Sequence, residues 1–81
     1  MIFTIYTKSN CPNCESAKAL MRSKGIVYGE ISLEREEERK GFYEAFPAIK
    51  QMPAIFIDGQ YVGGFAGLQN ALKQLGEIPS A

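Results

Sequence analysis

The chain has 81 residues, 46% of them apolar and 22% charged, enough for one globular domain over residues 1–81 and no more. Nine Lys and Arg balance nine Asp and Glu, so the formal net charge is zero and the attraction that marks nucleic-acid or acidic-membrane binders is lacking. With no histidine and only two cysteines, a four-ligand zinc site cannot be built inside one chain.

The N-terminal stretch MIFTIYTKSN has no basic segment ahead of its apolar run and no small-residue cleavage site after it. It is therefore expected to be a strand and not an export signal. No run approaches the roughly 20 apolar residues of a membrane span. The expected compartment is the reducing cytoplasm, where stable structural disulfides are rare. Ile2 to Tyr6 is short, apolar and rich in β-formers, and it predicts a buried strand.

From Pro12 the pattern turns helical. Ala17, Leu20 and Met21 recur at i, i+3, i+4, while Glu15, Lys18 and Arg22 fall on the other face. Pro12 suits a first turn and Gly25 a C-terminal stop. Ile26 to Ser32 predicts a second strand, and Glu34 to Phe46 a second helix. In that helix Glu36 and Lys40 are spaced as i,i+4 partners, and Phe42 and Phe46 share a face. The charges of EREEERK are mixed and lead into an apolar face, which predicts a solvated helix surface.

Pro53 opens a third strand, Ala54 to Ile57. Asp58-Gly59 then stands between two apolar runs, the signature of a type I′ hairpin, and Gln60 to Val62 follows as a fourth strand. Leu68, Ala71, Leu72 and Leu75 give a final amphipathic helix. The predicted order is β-α-β-α-β-β-α. The first pair of strands is expected to be parallel through a right-handed crossover, and the last pair antiparallel. The fold class is α/β, a four-stranded mixed sheet with helices on both faces.

Chemistry concentrates in TKSNCPNCE, residues 7–15. Three readings of its C-x-x-C are open: a metal or iron–sulfur site shared between two chains, a structural disulfide, or a redox pair. A disulfide across so short a loop stabilises little, because the effect grows with loop length. The redox reading explains more residues. Cys11 follows a strand and opens a helix, where free N–H groups and the helix dipole favour a thiolate. Lys8 adds positive charge on the approach side. Cys14 lies one turn on and closer to the sheet, placed to attack a mixed disulfide on Cys11. If the bond before Pro53 is cis, the backbone of Met52 is presented as an open strand edge beside the thiols.

With YTKSNCPNC (6–14), QMPAIFIDGQYVGG (51–64) and FAGL (65–68), the sequence resembles the glutaredoxins over essentially its whole length. The resemblance implies a thioredoxin-like fold and a thiol-disulfide oxidoreductase. Such an enzyme reduces protein disulfides and glutathione mixed disulfides. Glutathione is its co-substrate, and no metal or organic group is permanently bound. By the same resemblance Cys11 is the nucleophile that becomes glutathionylated and Cys14 the resolving thiol. Lys8 matches a lysine near the glycyl carboxylate of glutathione. Met52 and Pro53 match residues whose backbone pairs with its cysteinyl part. Gly64, Phe65 and Ala66 match the stretch that receives its γ-glutamyl end. Asn13 and Gln51 complete the expected binding set.

The implied partners are glutathione and disulfide-containing clients, with ribonucleotide reductase a candidate. Neither nucleic acid nor membrane is among them, and a monomer is expected. Three sites depart from the family pattern, five residues in all: Asn13 replaces a tyrosine, Gln51-Met52 replaces Thr-Val, and Phe65-Ala66 replaces a Ser/Thr/Cys-Asp pair. The lost aspartate is the residue expected to grip the glutamyl amino group. Two alternatives follow: a redoxin recharged by thioredoxin reductase, and an iron–sulfur or metal-binding dimer, against which Pro12 stands.

Overall fold

The computed structural model describes residues 1–76. Its elements run β1 (Phe3–Thr7), α1 (Pro12–Ser23), β2 (Tyr28–Ser32), α2 (Glu36–Ala45), β3 (Ala54–Ile57), β4 (Gln60–Gly63) and α3 (Phe65–Gln74). The four strands form one sheet in the order β2-β1-β3-β4. β1 pairs with β2 in parallel, whereas β1 with β3 and β3 with β4 are antiparallel. This is the predicted mixed sheet. The Asp58-Gly59 turn has φ of 51° and 80°, the two positive values that a type I′ hairpin needs.

Side-chain alternation divides the core between two sheet faces. Phe3, Ile5 and Ile55 point to one face, where Ala17 and Met21 of α1 and Leu68 and Leu72 of α3 cover them. Ala54 and Phe56 point to the other and pack with Phe42 of α2, Leu33, Ile49 and Met52, with Tyr6 and Tyr43 against them. Cys11 and Cys14 belong to this second cluster. Each fully buried aliphatic side chain contributes about 1.5–3 kcal/mol. Met21, Leu68 and Leu72, all fully buried, therefore hold α1 and α3 to the sheet far more firmly than any surface ion pair can.

The second strand begins two residues later than the sequence predicts. After α1, Gly25 takes φ of +69°. The Ile26 N–H turns back to the Met21 carbonyl at 2.9 Å. Ile26 thus closes the helix, and Val27 is left 89% exposed. The second helix starts at Glu36, after the Glu38 carboxylate accepts the Arg35 backbone N–H at 3.0 Å. Arg39 extends across that turn and donates to the carbonyls of Leu33 and Glu34 at 2.8 and 2.9 Å. The expected Glu36–Lys40 pair does not form. Among the described residues the ion pairs are Lys18 with Glu15, Lys18 with Glu30, and Arg35 with Glu37. Phe42 and Phe46 do share a face, with ring centroids 4.9 Å apart.

Candidate active site

β1 delivers the chain from the sheet centre to a short loop, Lys8-Ser9-Asn10, in which Asn10 adopts φ of 56°. Cys11 then takes extended dihedrals as the N-cap of α1, and Pro12 fills the first helical position, where no N–H is needed. A cap residue normally supplies a side-chain oxygen to the free N–H groups. Here sulfur does so: the Cys14 N–H donates to Cys11 Sγ at 3.2 Å. Cys11 and Cys14 are joined as a disulfide, with Cα atoms 5.2 Å apart. Cys11 keeps 8% of its surface and Cys14 none, so an incoming thiol meets Cys11.

Met52, next to Pro53 in the chain, packs against this pair. The Met52–Pro53 peptide bond is cis. The Met52 carbonyl oxygen lies 3.8 Å from Cys11 Sγ. Beside them is a groove of about 280 Å³, lined by Asn13, Gln51, Met52, Pro53, Tyr61, Gly64, Phe65 and Ala66. The structure thus gathers seven of the predicted binding residues and adds Tyr61, which no motif in the sequence marks. Lys8 is not among them. It lines a second cleft of about 640 Å³ together with Cys11 and Pro12. Among the described residues no charged side chain lines the groove.

α3 closes the groove. Its N-cap is Gly64, which has no side chain to offer, so the first-turn N–H groups lack a side-chain cap. The chain is compressed here. A methyl on Gly67 would overlap the Val62 carbonyl and lie 2.9 Å from its carbon. One on Gly64 would meet the Pro53 carbonyl oxygen at 3.4 Å. Gly63 has φ of +122°, which favours glycine. Pairing is irregular between Ile55 and Phe56: Ile55 lies opposite Gly63, but Phe56 lies opposite Tyr61. Val62 is therefore the extra residue of a bulge, a device common at sheet edges next to active sites.

The second cleft carries the charge. The buried Thr7 hydroxyl donates to Glu30 at 2.8 Å, and Lys18 Nζ reaches the same oxygen at 3.1 Å and Glu15 at 2.9 Å. The Thr7 hydroxyl first, and Lys18 next, hold the Glu30 carboxyl below its ordinary value against the cost of burial. Hydrogen bonds to Glu15 and then Glu30 raise Lys18 above its own. Ser32 and Ser9 both donate to Glu34, which lowers its carboxyl as well. These contacts link β1, β2 and α1 around Cys11. Among the described residues there is no cluster of three or more His, Cys, Asp or Glu side chains able to hold a metal ion. Nor is any helix among them long and apolar enough to cross a membrane.

A C-x-x-C disulfide that caps the helix after the first strand of a four-stranded mixed sheet is the arrangement of a thiol-disulfide oxidoreductase of thioredoxin-like fold. The comparisons with known proteins narrow this class. The glutaredoxin family model matches residues 3–62, and the chain belongs to the glutaredoxin family. It is 40% identical over 76 residues to Glutaredoxin 1 of Rickettsia typhi, an alignment covering 91% of this chain and 72% of that protein. To Glutaredoxin 3 of Escherichia coli K12 it is 38% identical over 60 residues, 74% of this chain and 72% of the relative. The crystal structure of Glutaredoxin 1 from Francisella tularensis, complexed with cacodylate, superposes with a TM-score of 0.85 at 28% identity. That match covers 94% of this chain and 96% of the other. Glutaredoxins are thiol-disulfide oxidoreductases, and the family uses glutathione as reductant.

Proposed function

We propose that this chain is a dithiol glutaredoxin that takes its electrons from glutathione and passes them to protein disulfides and glutathione mixed disulfides. It acts as a monomer of one domain over its 81 residues, in the cytoplasm, with ribonucleotide reductase a candidate client. The observation that carries this reading is the placement of Cys11 Sγ. It caps α1, accepts the Cys14 N–H at 3.2 Å, and lies 3.8 Å from the Met52 carbonyl at the groove. Once the disulfide is reduced, the same N–H is placed to donate a charge-assisted hydrogen bond to a Cys11 thiolate.

With a glutathione mixed disulfide, the Cys11 thiolate attacks the glutathionyl sulfur. The Cys11–glutathione bond forms, and the client leaves as a thiolate that takes a proton from water. A second glutathione thiolate then attacks the glutathionyl sulfur, which releases glutathione disulfide and restores the Cys11 thiolate. With a protein disulfide, Cys11 first becomes bonded to the client. Cys14, once deprotonated, attacks the Cys11 sulfur, the client leaves reduced, and the Cys11–Cys14 disulfide remains. Two glutathiones reduce it and leave as glutathione disulfide. Met52 offers an unpaired backbone edge to the cysteinyl part of glutathione, and Pro53 flanks that edge. Asn13 and Gln51 supply side-chain amides, and the first-turn N–H groups of α3 at Gly64, Phe65 and Ala66 receive the glutamyl carboxylate. Lys8, in the adjoining cleft, attracts the glycyl carboxylate.

One observation favours a second reading. Among the described residues the groove holds no charged side chain, and Ala66 stands where the family resemblance leads one to expect an aspartate. A redoxin recharged by thioredoxin reductase has no need of that grip. The test of the first reading is to expose a Cys14→Ser variant to glutathione disulfide and map the product by mass spectrometry. A single glutathione adduct on Cys11 is expected. Absence of that adduct overturns the assignment.

A further inference from the structure

We propose that Tyr61 is a specificity-determining residue of the groove, its ring forming the wall against which the peptide part of a glutathione-sized thiol rests. The proposal depends on the glutathione reading above. Two large aromatic side chains line the groove, Tyr61 and Phe65. Phe65 packs against the core that α1 and α3 share. Tyr61 stays 41% exposed, so ring surface remains available to a ligand.

What distinguishes Tyr61 from an ordinary surface tyrosine is its anchorage. Tyr61 on β4 and Phe56 on β3 are cross-strand partners, with ring centroids 5.5 Å apart. Phe56 is itself held by Tyr6 at 5.6 Å and by Phe46 at 5.5 Å. Tyr61 is thus the outer member of an aromatic cluster, its ring supported by Phe56. A ring that already packs on a neighbour loses less side-chain entropy on binding than a free one. The bulge at Val62 adds to this, since it sets Tyr61 opposite Phe56 while Gly63 stays opposite Ile55 and the chain turns into Gly64. Beside the amides of Asn13 and Gln51, the ring of Tyr61 offers the groove an apolar face. A thiol carrying a peptide gains from it, and a short aliphatic thiol does not.

The test compares pre-reduced protein in single-turnover attack on two probes, glutathione disulfide and hydroxyethyl disulfide, with the ratio of rate constants as readout. Wild type is expected to prefer glutathione disulfide. Tyr61→Ala is expected to lower the ratio about 3- to 10-fold, the size of one aromatic contact. Tyr61→Phe retains the ring and should hold the ratio within about twofold of wild type. Tyr61→Leu, which keeps apolar packing on Phe56, guards against a folding defect in the alanine variant and should also lower the ratio. If wild type prefers glutathione disulfide and neither Tyr61→Ala nor Tyr61→Leu changes the ratio, the role of Tyr61 is overturned while the glutathione reading stands. If wild type shows no preference, the glutathione reading fails and the role of Tyr61 falls with it.

Discussion

At Cys11 one sulfur atom is both the cap of α1 and the proposed nucleophile, and substitution separates the two. Serine is a good N-cap, so Cys11→Ser should keep the helix and shift stability by no more than about 1 kcal/mol. Turnover should be abolished. A melting curve and a disulfide-reduction assay on the same sample check both outcomes. Cys14 supplies the backbone N–H and the second thiol, and Cys14→Ser removes only the thiol. It should spare reduction of glutathione mixed disulfides and impair that of protein disulfides. Equal loss of both activities in a folded variant contradicts the role. Ala66 is the second residue of α3, where an acid favours the helix dipole by about 0.3–1 kcal/mol. Ala66→Asp should raise the melting temperature slightly. If the missing carboxylate limits glutathione use, it should also lower the KM for glutathione several-fold, and an unchanged KM counts against that contact. At this scale the sequence is informative where chemistry is local: Cys11, Pro12 and Pro53 announce themselves by type and spacing. Tyr61 does not, because its place depends on a cross-strand register and a bulge that no local pattern encodes.

Among the elements, the junction of β4 and α3 shapes the groove. Gly67 lies where a methyl would run into the Val62 carbonyl, so helix and strand are as close as glycine allows. Alanine gains up to about 1 kcal/mol in helix propensity, but the overlap costs about 1–3 kcal/mol in backbone displacement. Gly67→Ala should therefore lower the melting temperature and weaken binding in the groove. A rise in melting temperature, read by calorimetry, contradicts the close approach. The Thr7–Glu30–Lys18 contacts tie β1, β2 and α1 with a different pH signature. Glu30 titrates below its ordinary 4.5 in the folded chain, so its contribution is complete above that value and is lost as the pH falls through the folded value. Lys18 titrates above its ordinary 10.5, so its share is complete below that value and is lost as the pH rises through the folded one. Glu30→Gln should flatten the fall in melting temperature between about pH 5 and pH 3. An unaltered acid limb argues against the contact. Glu30 lies 23 positions from Thr7 and 12 from Lys18, too far for motif reading to join them. The Asp58-Gly59 hairpin, by contrast, is explicit in two letters.

For the whole molecule, topology follows from hydrophobic runs and turn residues, and the strand and helix order is legible throughout. The differences lie at element ends, where hydrogen bonds outside the pattern decide. Ile26 caps α1 instead of opening β2, and the Arg39 and Glu38 contacts hold back the start of α2. With no charged side chain among the described residues of the groove, recognition is proposed to rest on backbone groups, side-chain amides and the ring of Tyr61, with Lys8 in the adjoining cleft. The electron donor is thus the decisive property of the molecule. The most direct measurement oxidises the protein fully and supplies either glutathione alone or thioredoxin reductase with NADPH. Recovery of the Cys11 and Cys14 thiols is then followed with a thiol reagent. Recovery with glutathione alone is the result expected of a glutathione-dependent dithiol glutaredoxin. Recovery with the reductase and none with glutathione would contradict it.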